Sequence, residues 1–301
     1  MRRIPAAFLA AAGVALTAAA APALMIAFTP PAQRALTADV VVVGKVTAVE
    51  KETVEATPFP GSPQKVQYKV AVVKIETNLA GAANLAHIKV GFVPAPPVAP
   101  PVVGEKPLLR PILPRRGMMA PELKEGQEFL LFLVKHPDAG FYVMPNMSPP
   151  LATTGEDAKQ EVEAVKKTLA VAADPMAALK AATPADRYFA AATLVTKYRA
   201  YPPAGGEVGQ AALPAAESKL ILTGLAEGDW TKFEPGIPSG MQAFYSLGLT
   251  DKDGWVAPKP TPVRPGQPPV NFNQVTKDAF VTWLAGPGKA YQIQRVVPKA
   301  K

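Results

Sequence analysis

The sequence predicts an α+β protein, a small five-stranded β-barrel followed by an irregular α-helical domain. Three observations carry this expectation. Short β-branched or alternating runs recur through the first half, the pattern of strands with one or both faces buried. From Glu156 onward the apolar residues recur in steps of three and four, which is the period of a helix. Cysteine is absent from the 301 residues, so a disulfide scaffold, thiolate metal sites and cysteine nucleophiles are excluded together. A chain of this length suits two domains.

The chain begins Met1-Arg2-Arg3, then runs uncharged and alanine-rich from Ile4 to Phe28. A basic start, an apolar middle and small residues near the end describe a secretory signal peptide. Cleavage is expected between Ala23 and Leu24, with Ala18-Ala19-Ala20 as a second candidate, which makes residues 1–23 the signal. The alternative is an uncleaved anchor, because such a run could span a hydrocarbon core of roughly 30 Å. Either way the protein is expected outside the cytoplasm, secreted, periplasmic or tethered. Losing Arg2 and Arg3 takes Lys+Arg from 32 to 30 against 24 Asp+Glu, a net charge of +6 instead of +8. That excess is spread thinly, so nucleic acid, which calls for a dense basic stripe, is not an expected partner.

Five strands follow. Ala38–Val49 is β-branched, with Gly44 allowing a bend. Lys65–Leu79 alternates, but its polarity switches midway, as at a bulge. Ala86–Val93 is the third strand, and Gln127–Lys135 the fourth, apolar on both faces. Gly140–Met144 closes the series across a turn at His136-Pro137-Asp138-Ala139. Strands with no helix between them suit a closed barrel, since closure removes unpaired edges. The connections suit the five-stranded Greek-key OB type, over 36–150.

Ala38-Asp39-Val40-Val41, Gly44-Lys45-Val46, a polar loop with Gly61 and Gln67-Tyr68-Lys69-Val70 resemble the barrel of the tissue inhibitors of metalloproteinases, the netrin-like group. Glu125-Gly126-Gln127-Glu128-Phe129-Leu130-Leu131 is similar to that group's "G-x-x-yLl" strand. The resemblance covers about a third of the chain and implies the barrel. In that group a processed Cys-x-Cys start places its amine and adjacent carbonyl on a target's catalytic zinc. Here Leu24 and Ile26 stand where the cysteines belong, and no disulfide can hold the start rigid. The fold is therefore carried over, and inhibition stands as an alternative function.

Between strands three and four lies Pro94–Pro121, with nine prolines in 28 residues. Proline-rich chain is stiff, extended and free of any hydrogen-bond ladder. Its Leu108, Leu109, Arg110, Arg115, Arg116 and Met118 form a basic and apolar strip. That strip reads either as an insert draped over the fold or as an arm that docks a partner at low entropic cost.

The second half, 155–301, is expected to be helical. Ala158, Val162, Val165, Leu169 and Ala172 make one stripe. Asp174-Pro175 and Thr183-Pro184 each offer an N-cap followed by proline at the first helical position. Helices are expected over Pro184–Tyr201, Pro214–Glu227, Ser239–Leu249 and Asn273–Ala285, and a strand over Tyr291–Val297.

Catalytic residues, metal ligands and cofactors are all expected to be none. G-x-S-x-G, H-E-x-x-H, P-loop and full EF-hand patterns are missing. Asp251-x-Asp253-Gly254 resembles the middle of a calcium loop, but Pro262 occupies the distal glutamate position, so it reads as a turn. Ser239 reads as an N-cap, Gly205-Gly206 to Gly209 as a loop, His87 as a strand-surface residue and His136 with Asp138 as a turn cap. Trp230, Trp255 and Trp283 read as core or domain-interface residues, and the sequon Asn146-Met147-Ser148 is followed by Pro149. The expected role is that of an exported, non-catalytic binding or scaffolding protein. It would contact a protein or envelope partner through the barrel face or the strip, and a membrane only if the leader stays uncleaved. A metalloproteinase-inhibitor-like protein and a hydrolase without a recognisable motif are the alternatives.

Overall fold

The computed structural model describes residues 29–59, 61–94, 122–145, 149–203, 205–232, 238–259 and 270–299. Ala23 and Leu24, the strip Leu108, Leu109, Arg110, Arg115, Arg116 and Met118, and the sequon at 146–148 lie outside these residues.

The fold is mixed α and β. Helix α1 (Pro31–Thr37) comes first, then β1 (Val40–Ala56), β2 (Val66–Ala80), β3 (His87–Phe92), β4 (Glu128–Lys135), β5 (Tyr142–Val143) and β6 (Leu151–Ala152). The sheet order is β1-β2-β3-β5-β4-β6, and β1 also pairs with β4. Pairing therefore runs as a ring through five strands and returns to β1, with β6 added on β4. All pairs are antiparallel except β3 with β5, which run parallel. The sixth strand corrects the expectation of five. It spans two residues, Leu151 and Ala152, opposite Leu130 and Phe129, too short for any alternation to register.

β1 and β4 carry continuous apolar runs because both of their faces are covered. Val40, Val42 and Val46 meet Val73, Val90, Leu131 and Leu133 in one cluster. Val41, Leu130 and Phe132 meet Ala35 of α1 and Val165 in another. The switch in β2 is also present. Tyr68 and Val70 are buried, then Ala71 and Val73 take over. The β1–β2 register slips between Val46 and Ala48 and again between Val49 and Thr53, the bulges that let a long hairpin coil.

Then come α2 (Glu156–Ala173), α3 (Pro175–Leu179), α4 (Pro184–Arg199), β7 (Val208–Ala212), α5 (Ala215–Glu227), α6 (Gly240–Leu247), α7 (Phe272–Ala285) and β8 (Gln294–Pro298), with 3-10 turns at Asp251–Asp253 and Pro287–Ala290. The caps are made as their spacing predicts. Asp174, Thr183 and Ser239 side chains accept from the backbone N–H groups of Ala177, Asp186 and Gln242, at 3.0, 3.1 and 3.1 Å, about 1 kcal/mol each. α4 is the central helix, buried from Phe189 to Val195. Its alanines allow close approach by α5, where a Cβ on Gly224 would stand 2.9 Å from the Arg187 carbonyl oxygen. Trp230, Phe244, Phe280 and Trp283 complete this core.

Two further corrections follow. The strand expected over Tyr291–Val297 is present as β8, but β7, which the sequence does not announce, pairs with it antiparallel from Val208↔Pro298 to Ala212↔Gln294. Gly209 therefore lies in a strand and not in a loop. A helix, α1, also precedes the strands; its buried Arg34 donates to the carbonyls of Thr29 at 2.7 Å and Pro149 at 3.1 Å. Among the described residues no helix is long and apolar enough to cross a membrane.

The α4–α5 contact sets an alkaline limit on stability. Tyr198 Oη donates to Glu217 Oε1 at 2.6 Å. Burial first, then the bonded carboxylate, pushes this phenol well above its ordinary value of 10.0. The folded state thus keeps a proton that the unfolded chain releases, so stability is whole below pH 10 and falls as pH rises beyond it. Tyr198→Phe should flatten that alkaline decline in denaturation curves; an unchanged slope would mean that other groups set it.

Candidate binding cleft

The β1–β2 loop, 57–65, and the β4–β5 turn, 136–141, meet at one end of the ring. His136 makes the junction. Its side chain is only 1% exposed. Nδ1 accepts from the backbone N–H groups of Asp138 and Ala139, at 3.1 and 3.0 Å. The ring proton therefore sits on Nε2, which donates to the Thr57 carbonyl at 2.8 Å. The imidazole both caps its own turn and fastens the opposite loop. Thr57 Oγ1 adds a 2.9 Å bond to Asp138 Oδ2.

Aromatic packing holds this latch from below. Tyr68, Phe141 and His136 form a triangle with ring centroids 5.2 to 5.7 Å apart. Burial pushes the Tyr68 phenol up. Phe141 lies directly over Gly91, where any Cβ would run into the ring, so β3 needs glycine at this point of close approach.

Beside the latch is a cleft of about 450 Å³. Val54, Ala56, Val70, Ala139 and Phe141 give it an apolar lining. Glu50, Glu55, Asp138, Lys65 and Lys89 supply three negative and two positive charges, a sum of −1. Most of that charge is paired, Lys89 with Glu50 at 2.9 Å and Lys65 with Glu55 at 3.3 Å. Such exposed pairs add little stability, but they leave no cationic track for a polyanion. Val54 is 37% exposed, and Phe59, in the adjoining loop, 55%.

No protein-family model, curated protein or solved structure matches this chain.

Of the residues the sequence singles out, His136 and Asp138 come together here as a structural turn. His87 lies exposed on β3 and outside the cleft lining. Ser239 is a cap, and Asp251–Asp253 is a 3-10 turn closed by a Thr250–Asp253 capping box. Trp230 and Trp283 are buried, and Trp255 packs against their cluster. Glu50, Lys65 and Lys89 carry no signal in the sequence, because only strand pairing brings them together. Among the described residues no three His, Asp or Glu side chains could jointly hold a metal. The carbonyl of Thr29, where the described chain starts, is bonded by Arg34, and no residue of α1 lines the cleft.

Proposed function

We propose that this chain is an exported, non-catalytic binding protein whose ring of strands is an OB-type barrel and whose partner is an extended protein segment held in the cleft. The observation that carries this reading is the strand order β1-β2-β3-β5-β4-β1 with β3 and β5 parallel. The cleft lies where β1–β3 meet the β1–β2 and β4–β5 loops, the region with which barrels of this type take up extended ligands. Its paired charges and apolar lining favour a peptide over a polyanion. Export rests on the amino-terminal sequence alone. The strip from Leu108 to Met118 is, on its sequence, a second surface for the same partner.

The test is a photo-crosslinkable residue at position 59, introduced into the full chain in its native envelope. A discrete protein adduct is expected. Val54→Asp should reduce that adduct at least tenfold while leaving thermal stability within the small range usual for surface changes. Loss of the reading would follow from no adduct, or from an adduct indifferent to Val54→Asp.

A further inference from the structure

A cavity of about 610 Å³ lies away from the cleft, between the ends of α4 and α6, β7, β8 and the two 3-10 turns. Its volume falls in the ordinary range for small-molecule sites. Arg199 and Asp253 both line it.

Each of these charges is anchored separately by backbone. Arg199, in the last turn of α4, donates from Nε to the Ser246 carbonyl and from Nη1 to the Gln294 carbonyl, both at 2.7 Å. Those two bonds orient the guanidinium and leave Nη2 without an acceptor among the described residues. Nη2 is next to Gly248, where an added Cβ would stand 3.5 Å from it. Asp253 uses Oδ2 to accept from Thr250 N and Thr250 Oγ1, both at 2.9 Å, and its carbonyl accepts from Trp283 Nε1 at 2.9 Å. Oδ1 takes no bond from the described residues.

A cation and an anion facing one cavity would ordinarily close into an ion pair, yet these two form none with each other or with any other described residue. Both charges act on the same hydroxyl, that of Tyr291, whose phenol is pushed up by burial first and then by Asp253, with Arg199 opposing. That hydroxyl reaches only a stretched 3.4 Å bond to the Leu247 carbonyl. Gln210, Gln292 and Gln294 also line the cavity, beside Leu247, Pro287 and Ala290.

We infer that this cavity binds a small zwitterion of the α-amino-acid class, its carboxylate on the free edge of Arg199 and its ammonium on Asp253. A planar fork with three of its five N–H groups to spare suits a carboxylate. A dianion such as phosphate would meet Asp253 as a repulsive neighbour, and a simple cation would meet Arg199. Only a ligand carrying both signs satisfies both ends.

The experiment is calorimetric titration of the full chain with each of the common L-amino acids as probe. At least one is expected to bind. Its N-acetyl and its amide derivatives, each lacking one charge, should bind at least tenfold more weakly, the loss expected for one charge-assisted hydrogen bond. Asp253→Asn keeps a side-chain oxygen for the Thr250 cap and should weaken binding by a similar factor. Gln210→Trp, at an exposed strand position, should block the cavity without touching either anchor, so it remains informative if Arg199→Met fails to fold. Binding by none of the amino acids overturns the inference. So does binding that survives both Gln210→Trp and loss of either ligand charge.

Discussion

Trp230→Ala is expected to destabilise the protein by about 3–5 kcal/mol, the range for removing a large aromatic from a packed core. Against a total of about 5–15 kcal/mol, that is a large part of what holds the helical half folded. Trp230 is 1% exposed and sits 5.5 and 5.4 Å from the rings of Phe244 and Phe280. Its Nε1 donates to the Leu225 carbonyl at 2.9 Å, which would lose this partner inside the core. Its ring also fills the space over Gly240 at the start of α6, so the cavity would open between α5, α6 and α7. Urea unfolding followed by far-ultraviolet circular dichroism measures the effect. A loss below about 1 kcal/mol would mean that the core repacks around the gap, contrary to a rigid aromatic cluster.

His136→Ala is expected to cost about 3 kcal/mol and to release the cleft wall. Each of the backbone N–H groups of Asp138 and Ala139 and the carbonyl of Thr57 loses a partner, and leaving such groups unsatisfied costs about 1–3 kcal/mol. The void under Tyr68 and Phe141 adds to that. The same urea experiment gives the global figure. Limited proteolysis gives the local one: cleavage within 57–65 should accelerate ahead of global unfolding. Unchanged cleavage would mean that the Thr57–Asp138 side-chain bond alone closes the loop.

Short-range rules make the helix starts legible in the sequence. Asp174, Thr183 and Ser239 each act within three residues of themselves, so dipeptides such as Asp174-Pro175 announce them. The apolar run of β4 likewise signals burial on both faces. What escapes depends on distant residues. β7 contains Gly209 behind two other glycines and becomes a strand only through β8, far along the chain. The polar second half of β1, Lys51 to Glu55, resembles a loop and is held extended by β2. α1 carries no amphipathic period long enough to register, and its burial arises from contact with α2 and α4. Arg199 falls inside the helix expected over Pro184–Tyr201, at its end. Its place in a cavity is invisible there because its two acceptors belong to α6's end and to β8.

The ring of strands is fastened unevenly. β1 and β2 are joined along most of their length, whereas β3 and β5 meet at two residue pairs, Val90↔Tyr142 and Gly91↔Val143. Excursions from the native state should follow that inequality, since regions with little holding them open at lower free energy than the whole. In deuterium labelling, the amides of 141–144 should exchange through partial opening at this seam, while those of 70–73 wait for complete unfolding. The seam borders the Phe141–His136 latch, so each such opening also unmakes one wall of the cleft. Breathing of the sheet and access to the proposed partner site would then share one rate.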